Sequence, residues 1–259
     1  AKVEETVAQI KAEVTDARLE ALHLDLASLA SVRAAADAAA QIGPIDVLVN
    51  NAGVMAPSYS RTADGLELQM ATNHFGPFLF SGLLLPQLTA SGDGRIVTVA
   101  SMAHTFTRKA PLGDPRQQLG RYSRWTVYAQ SKLANLYFTS ELERRLRKRD
   151  LPVRALAAHP GFAGTHLAAN GQYGRSAGGV ASILDAGMKA VAQSAAAGAW
   201  PTLMASTDDL PGNTFVGPGG FQQLAGVPRI VGRTRLARNE MNARALWEIS
   251  EEVVDLRYP

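Results

Sequence analysis

A doubly wound parallel α/β sheet with helices on both faces is the fold this sequence predicts, on three observations. Short apolar runs recur along the chain and alternate with longer segments of helical period. Three of those runs are nearly continuous in apolar residues, as strands covered by helices on both sides should be. The residues directly after each run are small, polar or flexible, and it is beyond the carboxyl ends of its strands that such a sheet receives a ligand.

The elements follow in order. Val3, Val7, Ile10 and Val14 recur at helical spacing and predict a helix over 3–14. Leu22-His23-Leu24 is the first expected strand. Ser28 is placed to cap an alanine-rich helix running to Ile42, and Val47-Leu48-Val49 is the next strand. Leu66 to Leu88 reads as two helices parted near Gly82 or Pro86. Ile96-Val97-Thr98-Val99 is a strand, Thr126 to Arg149 a long helix, and Val153-Arg154-Ala155-Leu156-Ala157 another strand. Thr214-Phe215-Val216 is a weaker fifth. Residues 161–200 are rich in Ala and Gly without strand signals, and are expected as helices and loop forming a lid. No repeat, linker or charge block divides the chain, so 1–259 is expected to be one domain.

Composition narrows the function. The chain has 259 residues, 46% of them apolar and 19% charged, the proportions of an ordinary globular protein. A net charge of only +3 makes no electrostatic case for a nucleic-acid partner. The absence of cysteine excludes disulfides, thiolate metal sites and cysteine nucleophiles, and the five histidines show no metal-ligand spacing. The longest uncharged stretch, Leu68 to Gly92, contains Asn73, His74, Pro77, Pro86 and Gln87, which fits a core helix better than a membrane span. The expectation is a cytoplasmic protein acting on a small molecule, with no metal and no membrane span. An oligomer of identical chains is compatible with it.

The strand ends locate the chemistry. Asp25 follows Leu24, Asn50-Asn51-Ala52-Gly53 follows Val49, Ala100-Ser101 follows Val99, and His159-Pro160-Gly161 follows the Leu156 strand. On the long helix, Tyr128, Lys132, Asn135 and Thr139 fall on one narrow stripe, while Ala129, Leu133, Leu136 and Ser140 form a second suited to packing. A tyrosine titrates near about 10 and must fall by roughly three to act as a base at neutral pH. That is ~4 kcal/mol, about what one cation ~4 Å away supplies at an effective dielectric near 20. Lys132 is one such cation, and Ser101 could hold the substrate oxygen while Tyr128 exchanges its proton.

The order Asn50-Asn51-Ala52-Gly53, Asn73, Ser101, Tyr128-x-x-x-Lys132, Pro160-Gly161 resembles the short-chain dehydrogenase/reductase family over nearly the whole chain. Tyr59-Ser60-Arg61-Thr62-Ala63-Asp64-Gly65, Thr72-Asn73-His74-Phe75-Gly76 and Ser131-Lys132-Leu133-Ala134-Asn135 are similar to its branch of retinol dehydrogenases, the WW-domain oxidoreductase and the light-dependent protochlorophyllide reductases. The resemblance implies a Rossmann-like fold and reversible hydride transfer between NADP or NAD and an alcohol/carbonyl pair, lipophilic in this branch. It implies that Asp25 and Leu26 flank the adenine and that Asn51, Ala52 and Gly53 line a cofactor ribose. Asn73 would complete a catalytic tetrad with Ser101, Tyr128 and Lys132. Lys132 would also hold the nicotinamide ribose, and Pro160, Gly161 and Thr165 would sit near the carboxamide.

In one respect the sequence departs from that family. The glycine-rich strand–helix–strand unit that opens it, roughly forty residues including the pyrophosphate turn, has no counterpart before Asp25. The preference between NAD and NADP is therefore not legible. Without that unit the Leu22 strand lacks its neighbour and the Val47 strand becomes an exposed edge. Each motif also has a plain structural reading: Asn-Asn-Ala-Gly as a turn, Ser101 as a helix cap, Pro160-Gly161 as a helix start, and Tyr-x-x-x-Lys as a helix face. The arginine-rich stretch Arg144 to Arg149 reads as a solvated helix end. The alternatives are a non-catalytic dinucleotide-fold binding or regulatory protein, whose mark would be loss of Tyr or Lys, and a fragment inert as written.

Overall fold

The computed structural model describes residues 2–116, 121–162 and 193–258. Among these, five strands form one sheet in simple sequence order: β1 (Val47–Asn50), β2 (Gly94–Val99), β3 (Val153–Ala158), β4 (Phe215–Pro218) and β5 (Pro228–Ile230). The first four are parallel, with Leu48 beside Ile96 and Val97 beside Leu156. β5 turns back antiparallel on β4, pairing Ile230 with Val216.

Side chains alternate across this sheet and build two cores, as a strand's two-residue period requires. Ile96, Ala155, Ala157 and Phe215 enter the larger one, with α2 (Leu29–Ala40), α3 (Gly76–Leu83), α4 (Leu85–Ala90), α5 (Arg124–Lys148) and α7 (Glu240–Val254). Val97, Leu156, Ala158 and Val216 face the other side and meet Met204, Ala205 and Leu210, at and just beyond α6 (Ala195–Thr207). The α5 helix lies between the sheet and α7, so it is buried nearly all round. Tyr128, Lys132, Asn135 and Thr139 are as hidden as Ala129, Leu133 and Leu136. Phe78, Phe138, Trp247 and Tyr258 pack ring on ring between α3, α5 and the C-terminal segment. The Tyr258 hydroxyl donates to the Phe78 carbonyl.

Several expectations are met in detail. Ser28 caps α2 by accepting from the Ser31 N–H. The Leu66–Leu88 segment is broken at Leu84, just before Pro86. It holds a further irregularity, because Ala71–Phe75 winds as a π-turn between the helical turn Leu68–Met70 and α3. Such bulges re-aim the residues they contain.

The helix over 3–14 forms as α1 (Lys2–Glu13), with Val3, Ile10 and Val14 exposed. Two expectations need correction. Leu22-His23-Leu24 is not a strand: the segment is exposed and pairs with nothing among the described residues, and an extended run without a neighbour has no ladder to join. The arginines at the end of α5 are not merely solvated. Arg144 and Arg145 both bond the Glu141 carboxylate, Arg147 bonds Glu143, and Arg145 lies 4.5 Å over the Trp247 ring. They fasten α5 to itself and to α7.

β1 is the sheet's outer strand among the described residues, with Val47 37% and Val49 39% exposed. Of the expected lid at 161–200, residues 163–192, with Thr165, lie outside the described residues. No helix among the described residues is long and apolar enough to cross a membrane.

Candidate active site

The carboxyl end of β2 delivers Ser101 and the second turn of α5 delivers Tyr128, while Lys132 follows one turn later. These three converge. The Ser101 hydroxyl lies close enough to the Tyr128 phenol to favour its ionised form. The Lys132 ammonium stands 5.9 Å from the centre of the Tyr128 ring, and its Nζ donates to the Val99 carbonyl at 3.0 Å. Asn135 Nδ2 donates to the same carbonyl at 3.2 Å. The stripe read on this helix is therefore the face turned to the end of β2.

Asn73 sits in the π-turn and reaches the loop after β1. Its Oδ1 accepts from the Val54 N–H at 2.7 Å, and its Nδ2 donates to the Val54 carbonyl and to Ser131 Oγ, each at 2.9 Å. The Ser131 hydroxyl in turn donates to the Tyr128 carbonyl. One chain of bonds thus joins the β1 loop, the π-turn and α5. Ser131 carries no assigned role in the sequence because it lies off the Tyr128–Lys132 stripe; its signal is its place in the Ser131–Asn135 motif of the branch.

Burial sets the electrostatics. Lys132 is almost wholly enclosed, no carboxylate among the described residues pairs with it, and desolvation pulls its pKa down to about 8. At neutral pH it still carries its charge. Tyr128 differs from the sequence expectation of a lowered pKa. Burial pushes the phenol up, and the Ser101 hydroxyl offsets only part of that. Desolvation of the phenolate outweighs the hydrogen bond it would receive, so the phenol rests protonated.

The remaining positions divide. Asn51 and Ala52 are open at the tip of β1, and Gly53 is half-buried behind them. A Cβ on Gly53 would stand 2.8 Å from Asn73 Oδ1 and 3.5 Å from Lys132 Nζ, so a side chain here would fill the space before both. Asp25 is exposed and its carboxylate accepts from the Ala27 N–H in its own turn. The Leu26 carbonyl lies against Gly76, where no Cβ could fit. Gly161 has φ +67° and packs on the Leu224 carbonyl and on Pro218, whose Cγ would lie 2.7 Å from a Cβ. Its backbone conformation and surroundings alone thus require glycine. The Pro160 carbonyl accepts from Gln193 Nε2.

These residues fit the nicotinamide riboside end of a dinucleotide. A buried ammonium bonded to one carbonyl keeps further N–H donors for hydroxyl acceptors, and the glycine beside it keeps the approach clear. Among the described residues no glycine-rich strand-to-helix turn stands before Asp25.

A profile described as short chain dehydrogenase matches residues 1–112. Human Retinol dehydrogenase 13 is 36% identical over 265 residues, covering 100% of this chain and 75% of its own. Other curated dehydrogenases align over 50% to 52% of their lengths. Among solved structures, an uncharacterized protein from Mycobacterium paratuberculosis superposes with a TM-score of 0.72 at 44% identity, covering 91% of this chain and 75% of that one. An NAD(P)-dependent gluconate 5-dehydrogenase from Beutenbergia cavernae, crystallised with NADP, superposes with a TM-score of 0.50 at 28% identity, over 71% and 66% of the two chains.

Proposed function

The chain belongs to the short-chain dehydrogenase family, as an NAD(P)-dependent oxidoreductase of its retinol dehydrogenase-like branch, and we propose that Ser101, Tyr128, Lys132 and Asn73 are the residues with which it interconverts a lipophilic alcohol and its carbonyl. The observation that carries this reading is the buried phenol of Tyr128, close to the Ser101 hydroxyl and standing under the Lys132 ammonium. A regulatory protein that kept only the fold would have no reason to bury an unpaired ammonium at that place.

The roles follow from the chemistry of each group. Tyr128 rests as a neutral phenol, which makes it the acid that protonates a carbonyl oxygen in the reductive direction. Ser101 donates its one hydroxyl hydrogen to the same oxygen and so holds it against the Tyr128 phenol. Lys132 supplies positive charge beside that phenolate, and its spare donors would hold the ribose hydroxyls of NADP or NAD. Asn73 holds the Val54 loop and, through Ser131, the backbone of Tyr128. Asn51, Ala52 and Gly53 would line the cofactor's path, with Asp25, Leu26, Pro160, Gly161 and Thr165 at its two ends. When bound, the dinucleotide exchanges the hydride and, oxidised, brings a second positive charge that favours the base form of the phenol. Oxidation of an alcohol thus needs that charge, whereas reduction can begin from the phenol as it stands.

The proposal extends to one continuous domain over 1–259 with 161–200 as a substrate lid, and to a cytoplasmic location. The test is NADH and NADPH consumption against a panel of aldehydes and ketones. Tyr128→Phe should lower turnover by about 10²–10⁴-fold with an unchanged melting temperature. Full turnover in that variant would refute the assignment.

A further inference from the structure

His104 lies three residues beyond Ser101, in the short 3₁₀ turn Met102–Phe106, and it is 2% exposed. Its Nδ1 is 2.7 Å from the Ser101 carbonyl. A carbonyl only accepts, so Nδ1 carries the hydrogen, and the ring is the Nδ1–H tautomer. The His104 backbone N–H reaches the same carbonyl at 3.1 Å. Both donors of one residue thus clamp one oxygen. The Ser101 Oγ meanwhile accepts from the Ala103 N–H at 3.1 Å. One lone pair of Oγ is so engaged, and its other lone pair and its hydrogen face the Tyr128 phenol.

The ring itself is fixed from behind. It stands edge-on to Phe215 at 5.8 Å, and His159 and Arg233 lie on the same phenylalanine, at 5.1 and 5.6 Å. The His104 Nε2 is buried and meets no hydrogen-bond partner among the described residues. Burial and the Arg233 charge hold the ring below its ordinary pKa despite the Ser101 bond, so it stays neutral and the tautomer is preserved. A buried imidazole with an idle nitrogen is a poor choice for packing alone, since an aromatic ring would leave no polar atom stranded.

We infer that His104 is a positioning residue for the reaction: it locks the Ser101 carbonyl from two sides and so holds the Ser101 hydroxyl on the Tyr128 oxygen. This rests on the assignment of Ser101 made above. Misplacement by about 1 Å can cost as much as ~10²-fold in rate, and loosening one turn should cost less.

The experiment measures kcat and KM of the full chain for reduction of octanal by whichever of NADH and NADPH it consumes. His104→Phe should lower kcat by about tenfold and leave KM within about twofold. His104→Asn, which returns a donor at the δ position, should recover kcat to within about threefold of the parent. In a Ser101→Ala background, His104→Phe should cause no further loss, because the histidine acts only through the serine. Should His104→Phe not fold, His104→Gln, with its donor one bond further out, takes its place and should be impaired likewise. Parental kcat in the Phe variant overturns the inference, as does an equal loss with and without Ser101 or an Asn variant no better than Phe. Full turnover of Ser101→Ala alone would instead overturn the assignment of Ser101, a separate outcome.

Discussion

Asn73 and Val54 exchange a reciprocal pair of hydrogen bonds, the Val54 N–H to Oδ1 at 2.7 Å and Nδ2 to the Val54 carbonyl at 2.9 Å. An amide side chain has one acceptor and one donor face, and here each meets its complement on the same backbone unit. The π-turn brings it there: a regular helix through Ala71–Phe75 would rotate Asn73 away from the loop.

Asn73→Ala removes both bonds and a third to Ser131, leaving polar groups in an enclosed site. Each unsatisfied group costs about 1–3 kcal/mol, so the variant should lose about 3 kcal/mol in urea unfolding and at least about tenfold in kcat/KM. Asn73→Asp keeps the shape but cannot donate, and should be no better. Stability within about 0.5 kcal/mol of the parent would show that the pairing is incidental.

Lys132 links stability to alkaline pH. Its folded pKa of about 8 lies below the ordinary 10.5, so the folded state resists its proton while the unfolded chain keeps it. Below pH 8 both states are protonated and the burial penalty is full. As pH rises from about 8 toward 10.5, the folded state sheds the proton and gains stability relative to the unfolded chain, by up to about 3 kcal/mol. Lys132→Met removes this dependence. The difference in unfolding free energy between parent and variant should therefore move in the parent's favour from pH 7 to pH 10, other titrations cancelling. A difference independent of pH would mean that the ammonium is well solvated.

His74 acts at the acid end. Its Nε2 bonds Ser250 Oγ at 2.8 Å inside a ring of Phe75, Phe78 and Phe138, and burial lowers its pKa to about 3. Above pH 6.5 the ring is neutral in both states and costs nothing. As pH falls below 6.5 the unfolded chain takes a proton that the folded state refuses, and stability should fall by about 1.4 kcal/mol for each pH unit from this group. His159, lowered to about 4 by burial, adds in the same sense. His74→Leu should be weaker at pH 7, because Ser250 loses a partner, yet show a shallower decline between pH 6 and 4. An unchanged slope would exclude His74 as the source.

Much of this arrangement is legible in the residues. Val47–Val49, Ile96–Val99 and Val153–Ala157 declare themselves by unbroken apolar character, because strands covered on both faces have no polar side to show. The Tyr128–Lys132 stripe could be aimed correctly since helical geometry alone puts both on one face. What escaped depends on distant partners. Leu22-His23-Leu24 has strand composition, but a strand exists only with a neighbour to bond. β5 is three residues whose pairing is set by the turn after β4. α7, with Asn239 as its cap and Trp247 in the core, closes the structure over α5 and gives no sign of that partner in its own pattern. His104 shows only the lack of metal-ligand spacing in the sequence, because its signal lies in its reach back to Ser101, which depends on a turn the sequence does not announce. The phenol's raised pKa escaped because burial is a property of the assembled helix pair.

The outer position of β1 has a dynamic consequence. Among the described residues Val47–Asn50, which carries the Asn51–Gly53 loop, shares ladder bonds with β2 alone. The Asn50–Ser81 bond at 2.9 Å and the Asn73 clamp add to these ties. The opposite wall, Ser101 and α5, is held by the centre of the sheet. Amide hydrogens of 47–54 should therefore exchange with solvent through local opening, while those of β2 and α5 wait for global unfolding. Half of the cleft would breathe and the half that carries the proton donor would stand still, so a ligand spanning both would slow exchange chiefly on the β1 side.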